Sequence, residues 1–66
     1  MPILANLRTV RERRLLSQAE LSKATGVAQR TLSELERGIR TAQGRTTRKL
    51  AKALKVDPAE LMGDNE

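Results

Sequence analysis

Residues 29–37, with the sequence QRTLSELER, carry side chains suited to hydrogen bonding at polar molecular edges. If the segment is helical, at about 100° per residue, one face is polar and lies opposite Leu32 and Leu35. A glutamine amide can pair with the donor–acceptor edge of adenine, and an arginine fork with the two acceptors of guanine. The polar face therefore offers base-edge recognition from Gln29, Arg30, Ser33, Glu34 and Arg37.

The remaining composition excludes most other chemistry. The 66 residues include no histidine and no cysteine, the usual general base, nucleophile and metal ligands. The carboxylates stand at helix-capping positions, so we predict no catalytic site, metal or cofactor. Without aromatic residues the chain lacks the stacking platforms of single-stranded RNA binders. Its longest apolar runs are too short to span a membrane, which predicts a soluble cytoplasmic protein.

The charge is distributed unevenly along the chain. All 13 Lys and Arg residues lie within positions 1–56, which hold four carboxylates, and positions 57–66 carry the other four. A basic body with a short acidic end fits a polyanionic partner. A solvated helical surface would explain the charge equally well, so charge alone does not decide the function.

Helical periodicity and start and stop signals predict the elements that position these side chains. Ser17 and Glu20 form a capping box, and Gly26 permits the left-handed backbone that ends a helix. We expect a compact all-α domain over residues 1–63, with 64–66 as a frayed acidic tail. The predicted helices span residues 4–14, 18–25 with Ser17 as the N-cap, 29–37, 46–54 and 58–62.

The second and third of these helices, joined at Gly26, predict a helix-turn-helix. The outward face of the third helix then fits the major groove of DNA, which is about as wide as an α-helix. Arg40 and Arg45 follow it, in place to contact backbone phosphates. The amides that start the fourth helix, near Thr46, offer a further anion site. Thr31 can reach a phosphate, a base edge or a thymine methyl.

The segment LRTVR…LLSQAELSKATGVAQRTLSELERG resembles the Cro/repressor (Xre-like) helix-turn-helix family in spacing, caps and glycines, and the resemblance covers residues 7–62. It implies a lambda-repressor-like five-helix domain that binds double-stranded DNA as a homodimer. Gln18 matches a glutamine that bonds a phosphate and steadies the first recognition residue, here Gln29. Arg11 and Glu36 match a structural ion pair.

The resemblance also implies roles for the other site residues. Base contacts are expected from Gln29, Arg30, Ser33 and Glu34, although Glu34 can either accept from cytosine N4 or repel phosphate. Pro58 and Met62 correspond to a dimer surface, with a place in the core as the alternative. Phosphate contacts are expected from Gln18, Thr31, Arg37, Arg40, Arg45 and Thr46.

Three departures from the family pattern bear on local structure. Leu15 stands where the family has a glycine, so the first helix either extends or ends in a strained turn. Ala28 replaces the Ser or Thr that caps the recognition helix. Residues 38–49 lack the usual proline, which leaves that loop the least defined part of the interface.

The leading functional prediction is a sequence-specific transcriptional regulator, a repressor, acting on prokaryotic or phage DNA in the nucleoid. The alternative is a protein-interaction module of the same fold, such as an antitoxin with a toxin or another regulator as its partner. We expect no small-molecule ligand.

Overall fold

The computed structural model describes residues 3–62 and contains five helices with no strand in that range. The expectation of an all-helical domain of five short helices is confirmed. The helices are α1 (Leu7–Arg13), α2 (Gln18–Thr25), α3 (Gln29–Glu36), α4 (Gly44–Leu54) and α5 (Pro58–Met62). The acidic tail, and Gly63 with it, lies outside the described residues.

Two helix starts differ from the sequence prediction. The helix predicted from residue 4 begins at Leu7, because Leu4 is buried in the preceding turn and its carbonyl accepts the Leu7 amide at 3.1 Å. The helix predicted from residue 46 begins at Gly44, with Gln43 as its N-cap. Gln43 makes no side-chain cap hydrogen bond, so the sequence offers no capping signal there.

The core is built mainly from leucines contributed by all five helices. At the polar edge of the core, the buried Thr47 donates its hydroxyl to the Gln43 carbonyl at 3.0 Å. The loop before α4 contributes Ala42, which closes the core beside α3. The buried hydrophobic residues are Leu4, Leu7, Val10, Leu21, Leu32, Leu35, Ala42, Leu50, Ala51, Leu54 and Leu61.

The helix-turn-helix is fixed at both ends of α2. The Ser17 hydroxyl accepts from the Glu20 amide at 3.0 Å, and the Glu20 carboxylate accepts from the Ser17 amide at 2.8 Å, so the predicted capping box is confirmed. Gly26 ends the helix with φ at 78°. Thr25 donates its hydroxyl to the Leu21 carbonyl and accepts from the Val27 amide, which ties the turn to α2.

A left-handed residue also follows three other helices. Leu15 and Lys55 both have φ at 60°, and Gly38 has φ at 77°. In each case the next residue donates its amide to a carbonyl five positions earlier, the bond of a Schellman motif. Of the two outcomes expected for Leu15, the structure adopts the strained turn.

Candidate nucleic-acid interface

The outward face of α3 presents its polar groups at different depths. Gln29, Arg30 and Arg37 are exposed, whereas Ser33 and Glu34 are half-buried. Ala28 precedes the helix as its N-cap and makes no side-chain cap hydrogen bond. The face therefore has an amide and two guanidinium groups at its surface, with a hydroxyl and a carboxylate set below them.

Glu34 is held by two arginines. Its Oε1 accepts from Arg40 Nε at 2.8 Å, and its Oε2 lies 3.6 Å from Arg30 Nε. The hydrogen bond from Arg40 lowers the pKa of the Glu34 carboxyl, an effect that partial desolvation opposes and the charges of both arginines reinforce. Glu34 is therefore a carboxylate at neutral pH, and it is engaged within the domain.

Three of the residues predicted to contact phosphate lie together beside α3. Thr31, Arg40 and Thr46 line one polar pocket of about 160 Å³ between α3, the following loop and the start of α4. Glu34 is bonded to the Nε of Arg40, and a guanidinium carries further N–H donors on its two terminal amino groups. The pocket thus collects a guanidinium and hydroxyl groups around one concave surface. Its other lining residues are Leu35, Thr41, Ala42 and Gln43.

The start of α4 places Arg45 and Thr46 in the first turn, where backbone amides have no partner within the helix. Arg45 is exposed and Thr46 is half-buried. Thr47 follows them, and its amide already donates to the Gln43 carbonyl at 2.9 Å. The amides available to an anion therefore end at Thr46.

Arg11 and Glu36, predicted as an ion pair, lie in contact and largely buried. Arg11 Nε donates to Glu36 Oε2 at 2.6 Å, and Arg11 Nη2 donates to Glu36 Oε1 at 3.2 Å. The Arg11 Nη1 group donates to the Leu16 carbonyl at 2.7 Å. The hydrogen bond with Glu36 raises the pKa of Arg11 despite its burial. This pair joins α1 to the end of α3.

Gln18 joins the same cluster. Its Nε2 donates to Glu36 Oε1 at 3.0 Å. The Gln18 amide donor is thus bonded to the buried carboxylate of Glu36, and its contact with a phosphate and with Gln29 stays a prediction. Gln18 remains at the first turn of α2, half-buried at the domain surface.

Pro58 and Met62, the residues predicted for the dimer surface, are both half-buried. They line a shallow pocket of about 270 Å³ together with Gly44, Thr47 and Arg48, between α4 and α5. Met62 also packs against the hydrophobic core. The packing of Met62 agrees with a place at the edge of the core, and the dimer surface stays a prediction.

The ion pair between Glu34 and Arg40 was not predicted from the sequence. The two residues are six positions apart, and no helical spacing brings them together. The available signal is Gly38, whose left-handed backbone reverses the chain so that the Ile39 amide donates to the Glu34 carbonyl at 3.2 Å. The reversal places Arg40 beside the outward face of α3.

Other kinds of site find no support in the described part of the chain. Residues 3–62 contain no group of three or more acidic side chains able to hold a metal ion. None of the helices in this range has both the length and the apolar character needed to cross a membrane.

The comparison with protein families gives one finding. The helix-turn-helix model of the Xre/Cro-like type matches residues 7–61, which run from the start of α1 into α5. A comparison with curated proteins gives no match. The match covers most of the chain and includes the whole of α2, the turn and α3. The chain belongs to the Xre/Cro-like helix-turn-helix family of DNA-binding domains.

Proposed function

We propose that this domain is a sequence-specific transcriptional regulator that reads double-stranded DNA with α3 in the major groove. The exposed amide and guanidinium groups of Gln29, Arg30 and Arg37 on one face of α3 carry the proposal. Gln29 and Arg30 pair with base edges, and Ser33 supplies a hydroxyl to a base or phosphate. The family match supports DNA binding as the class of activity.

Phosphate contacts on either side of α3 set its register in the groove. Arg40, Thr31 and Thr46 supply a phosphate site at the pocket beside α3. Arg37 and Arg45 are exposed and supply further positive charge, and we assign a phosphate contact to Gln18 in the first turn of α2. We infer that binding weakens steeply with salt, since each neutralised phosphate releases counterions.

The domain acts as a homodimer in this proposal. One α3 makes few base contacts, and two copies on half-sites about 34 Å apart double them. The pocket lined by Pro58 and Met62 between α4 and α5 is the contact surface that we assign to the second copy. We infer that the dimer acts as a repressor by occupying its operator.

We infer that the protein performs no catalysis and works where its DNA target is, in the cytoplasm at the prokaryotic or phage nucleoid. The family is typically non-enzymatic, which supports this view. The alternative function is a protein-interaction module, such as an antitoxin that binds a toxin or another regulator. An antitoxin can also bind its own operator, so a DNA experiment comes first.

The test is selection from a random double-stranded DNA library with wild type, Arg30→Ala and Arg13→Ala. We expect the wild type to enrich a two-fold symmetric site. Arg30→Ala should relax the preference at one base pair in each half-site, a loss of about 1–3 kcal/mol of discrimination. Arg13 is exposed at the end of α1, so Arg13→Ala matches the charge change and should leave the selected sequence unaltered.

Two results would count against the proposal. If no motif is enriched at moderate salt, the basic surface serves another purpose and a protein partner becomes the favoured function. If Arg13→Ala alters the motif as Arg30→Ala does, total charge rather than α3 determines the selection.

A further inference from the structure

Glu34 has an unusual environment for a carboxylate on the outward face of a helix. Its side chain is 19% exposed, whereas that of Arg30 one turn earlier is 90% exposed. The exposed charges around it on α3 and the following loop are arginines, namely Arg30, Arg37 and Arg40. A carboxylate placed here lowers the attraction for any phosphate, so a specific benefit must offset that cost.

The contacts of Glu34 join α3 to the loop that follows it. The Glu34 side chain accepts from Arg40 Nε at 2.8 Å, and the Glu34 carbonyl accepts from the Ile39 amide at 3.2 Å. Both bonds hold residues 39 and 40 against the helix. Because Arg40 also lines the pocket with Thr31 and Thr46, its position there depends on the bond to Glu34.

The same contacts disfavour direct reading of a cytosine by Glu34. Oε1 is occupied by Arg40, and Oε2 faces Arg30 at 3.6 Å. A cytosine N4 amino group would compete with both arginines for a carboxylate that is only 19% exposed. The geometry instead suits a carboxylate that orients two arginine side chains, each of which has further donors to offer.

We propose that Glu34 is a positioning residue that holds Arg40 at the DNA backbone and Arg30 toward the base edges, and thereby increases discrimination between target and non-target DNA. The proposal rests on the proposed function of sequence-specific DNA binding. Holding an arginine in its bound geometry reduces the ordering cost of binding the correct site. The negative charge meanwhile weakens attachment to DNA that α3 does not fit.

The experiment compares Glu34→Ala, Glu34→Gln, Arg40→Ala and the double variant Glu34→Ala/Arg40→Ala with wild type. Affinities are measured for the selected duplex and for a scrambled duplex of the same length. Glu12→Gln is the matched control, because Glu12 also pairs with an arginine, Arg8, at 3.1 Å and the substitution makes the same charge change on α1.

We expect Glu34→Ala to reduce the ratio of target to scrambled affinity by about three- to tenfold. Glu34→Gln should bind the scrambled duplex more tightly while losing part of that ratio. Glu12→Gln should leave the ratio unchanged. In the Arg40→Ala background, removing Glu34 should reduce the ratio less than it does in wild type, since part of its effect acts through Arg40.

Each other outcome overturns the positioning role. If Glu34→Ala reduces the ratio equally with and without the Arg40 side chain, Glu34 acts independently of Arg40, as a residue that reads a base directly would. If both duplexes gain affinity equally, as expected for Glu12→Gln, Glu34 acts only through its charge. If the wild type binds both duplexes with equal affinity, the proposed function of sequence-specific DNA binding is itself wrong. If wild type discriminates and Glu34→Ala does so equally well, only the positioning role fails.

A measurement without DNA tests the ion pair itself. The Arg40 Nε–H resonance in nitrogen-edited NMR spectra should shift in Glu34→Gln and remain in place in Glu12→Gln. Thermal melting of each variant shows whether the domain is folded at the temperature of the binding assay. An Arg40 signal that does not respond to Glu34→Gln would contradict the contact on which the proposal depends.

Discussion

Individual residues in left-handed conformations end α1, α3 and α4, and only one of the three is a glycine. For Leu15 and Lys55 the φ of 60° brings Cβ close to the backbone, which glycine avoids. Leu15 is also 88% exposed, so its side chain gains little from packing. The Schellman bonds from Leu15 to Glu12 and from Leu16 to Arg11 nevertheless hold the turn.

We expect Leu15→Gly to raise the free energy of unfolding by about 0.5–1 kcal/mol, because relief of the left-handed strain exceeds the added entropy of the unfolded chain. The melting temperature should rise by a few degrees, measured by circular dichroism. Leu15→Asn should give a smaller gain, since asparagine also tolerates this region.

The matched control for this substitution is Arg13→Gly. Arg13 is exposed within the last turn of α1, where its backbone is helical. Glycine at such a position should lower stability by about 1 kcal/mol. If Leu15→Gly also lowers stability, the left-handed turn is not strained in solution and the helix ends differently.

At the scale of elements, the cluster of Arg11, Glu36 and Gln18 joins α1, α2 and α3. Two hydrogen bonds link Arg11 to Glu36, a third links Arg11 to the Leu16 carbonyl, and Gln18 adds a fourth. The side chain of Glu36 is 4% exposed. A charge buried to this extent depends on its partners, so the cluster fixes the end of α3 relative to the other helices.

We expect Arg11→Met and Glu36→Leu each to lower the free energy of unfolding by about 3–5 kcal/mol, because each leaves the remaining group buried without its partner. The double variant Arg11→Met/Glu36→Leu should be less destabilised than the sum of single variants, as measured by urea unfolding. Arg8→Met breaks an exposed pair with Glu12 and should change stability by less than about 0.5 kcal/mol. Additive effects in the buried pair would contradict the coupling.

The order of the helices was predictable because periodicity and local caps agree along most of the chain. Ser17, Glu20 and Gly26 mark α2 by local hydrogen bonds and backbone geometry, and the structure has them as expected. The start of α4 was not predictable in the same way, since Gln43 provides no side-chain cap.

In the candidate site, too, features that depend on local sequence were predictable and features that depend on tertiary contacts were not. The outward residues of α3 follow from helical spacing within one element. The engagement of Glu34 by Arg40 requires a turn that reverses the chain, and the bond from Gln18 to Glu36 spans two helices. Such contacts depend on tertiary packing, which one-dimensional spacing does not encode.

At the scale of the whole molecule, the domain has a small core and two surfaces of different character. The core contains no aromatic residue and consists mostly of leucines. The α3 surface is basic and polar, whereas the pocket between α4 and α5 is lined by Pro58 and Met62 together with Gly44, Thr47 and Arg48. A second copy placed at this pocket would cover apolar surface that a core of this size leaves partly exposed.

Two separate variants, Met62→Glu and Pro58→Glu, test the dimer contact. Pro58 is the first residue of α5, where an acidic side chain is favourable, so Pro58→Glu introduces a charge without disfavouring the helix. We expect each variant to lose about tenfold or more in affinity for the symmetric site, because two linked contacts act together only while the copies associate. Affinity for a duplex with one half-site should stay at the wild-type value, which also shows that α3 remains folded.

Ile3→Glu is the matched control, since Ile3 is 48% exposed and the substitution adds the same charge. It should leave the ratio between full-site and half-site affinity unchanged. If Met62→Glu and Pro58→Glu also leave this ratio unchanged, the second copy does not bind between α4 and α5. A loss of affinity on both duplexes would instead place these residues in the core, because an unfolded domain loses the α3 surface as well. The ratio of the two affinities therefore distinguishes the interface from the core at the two positions where the sequence allowed both.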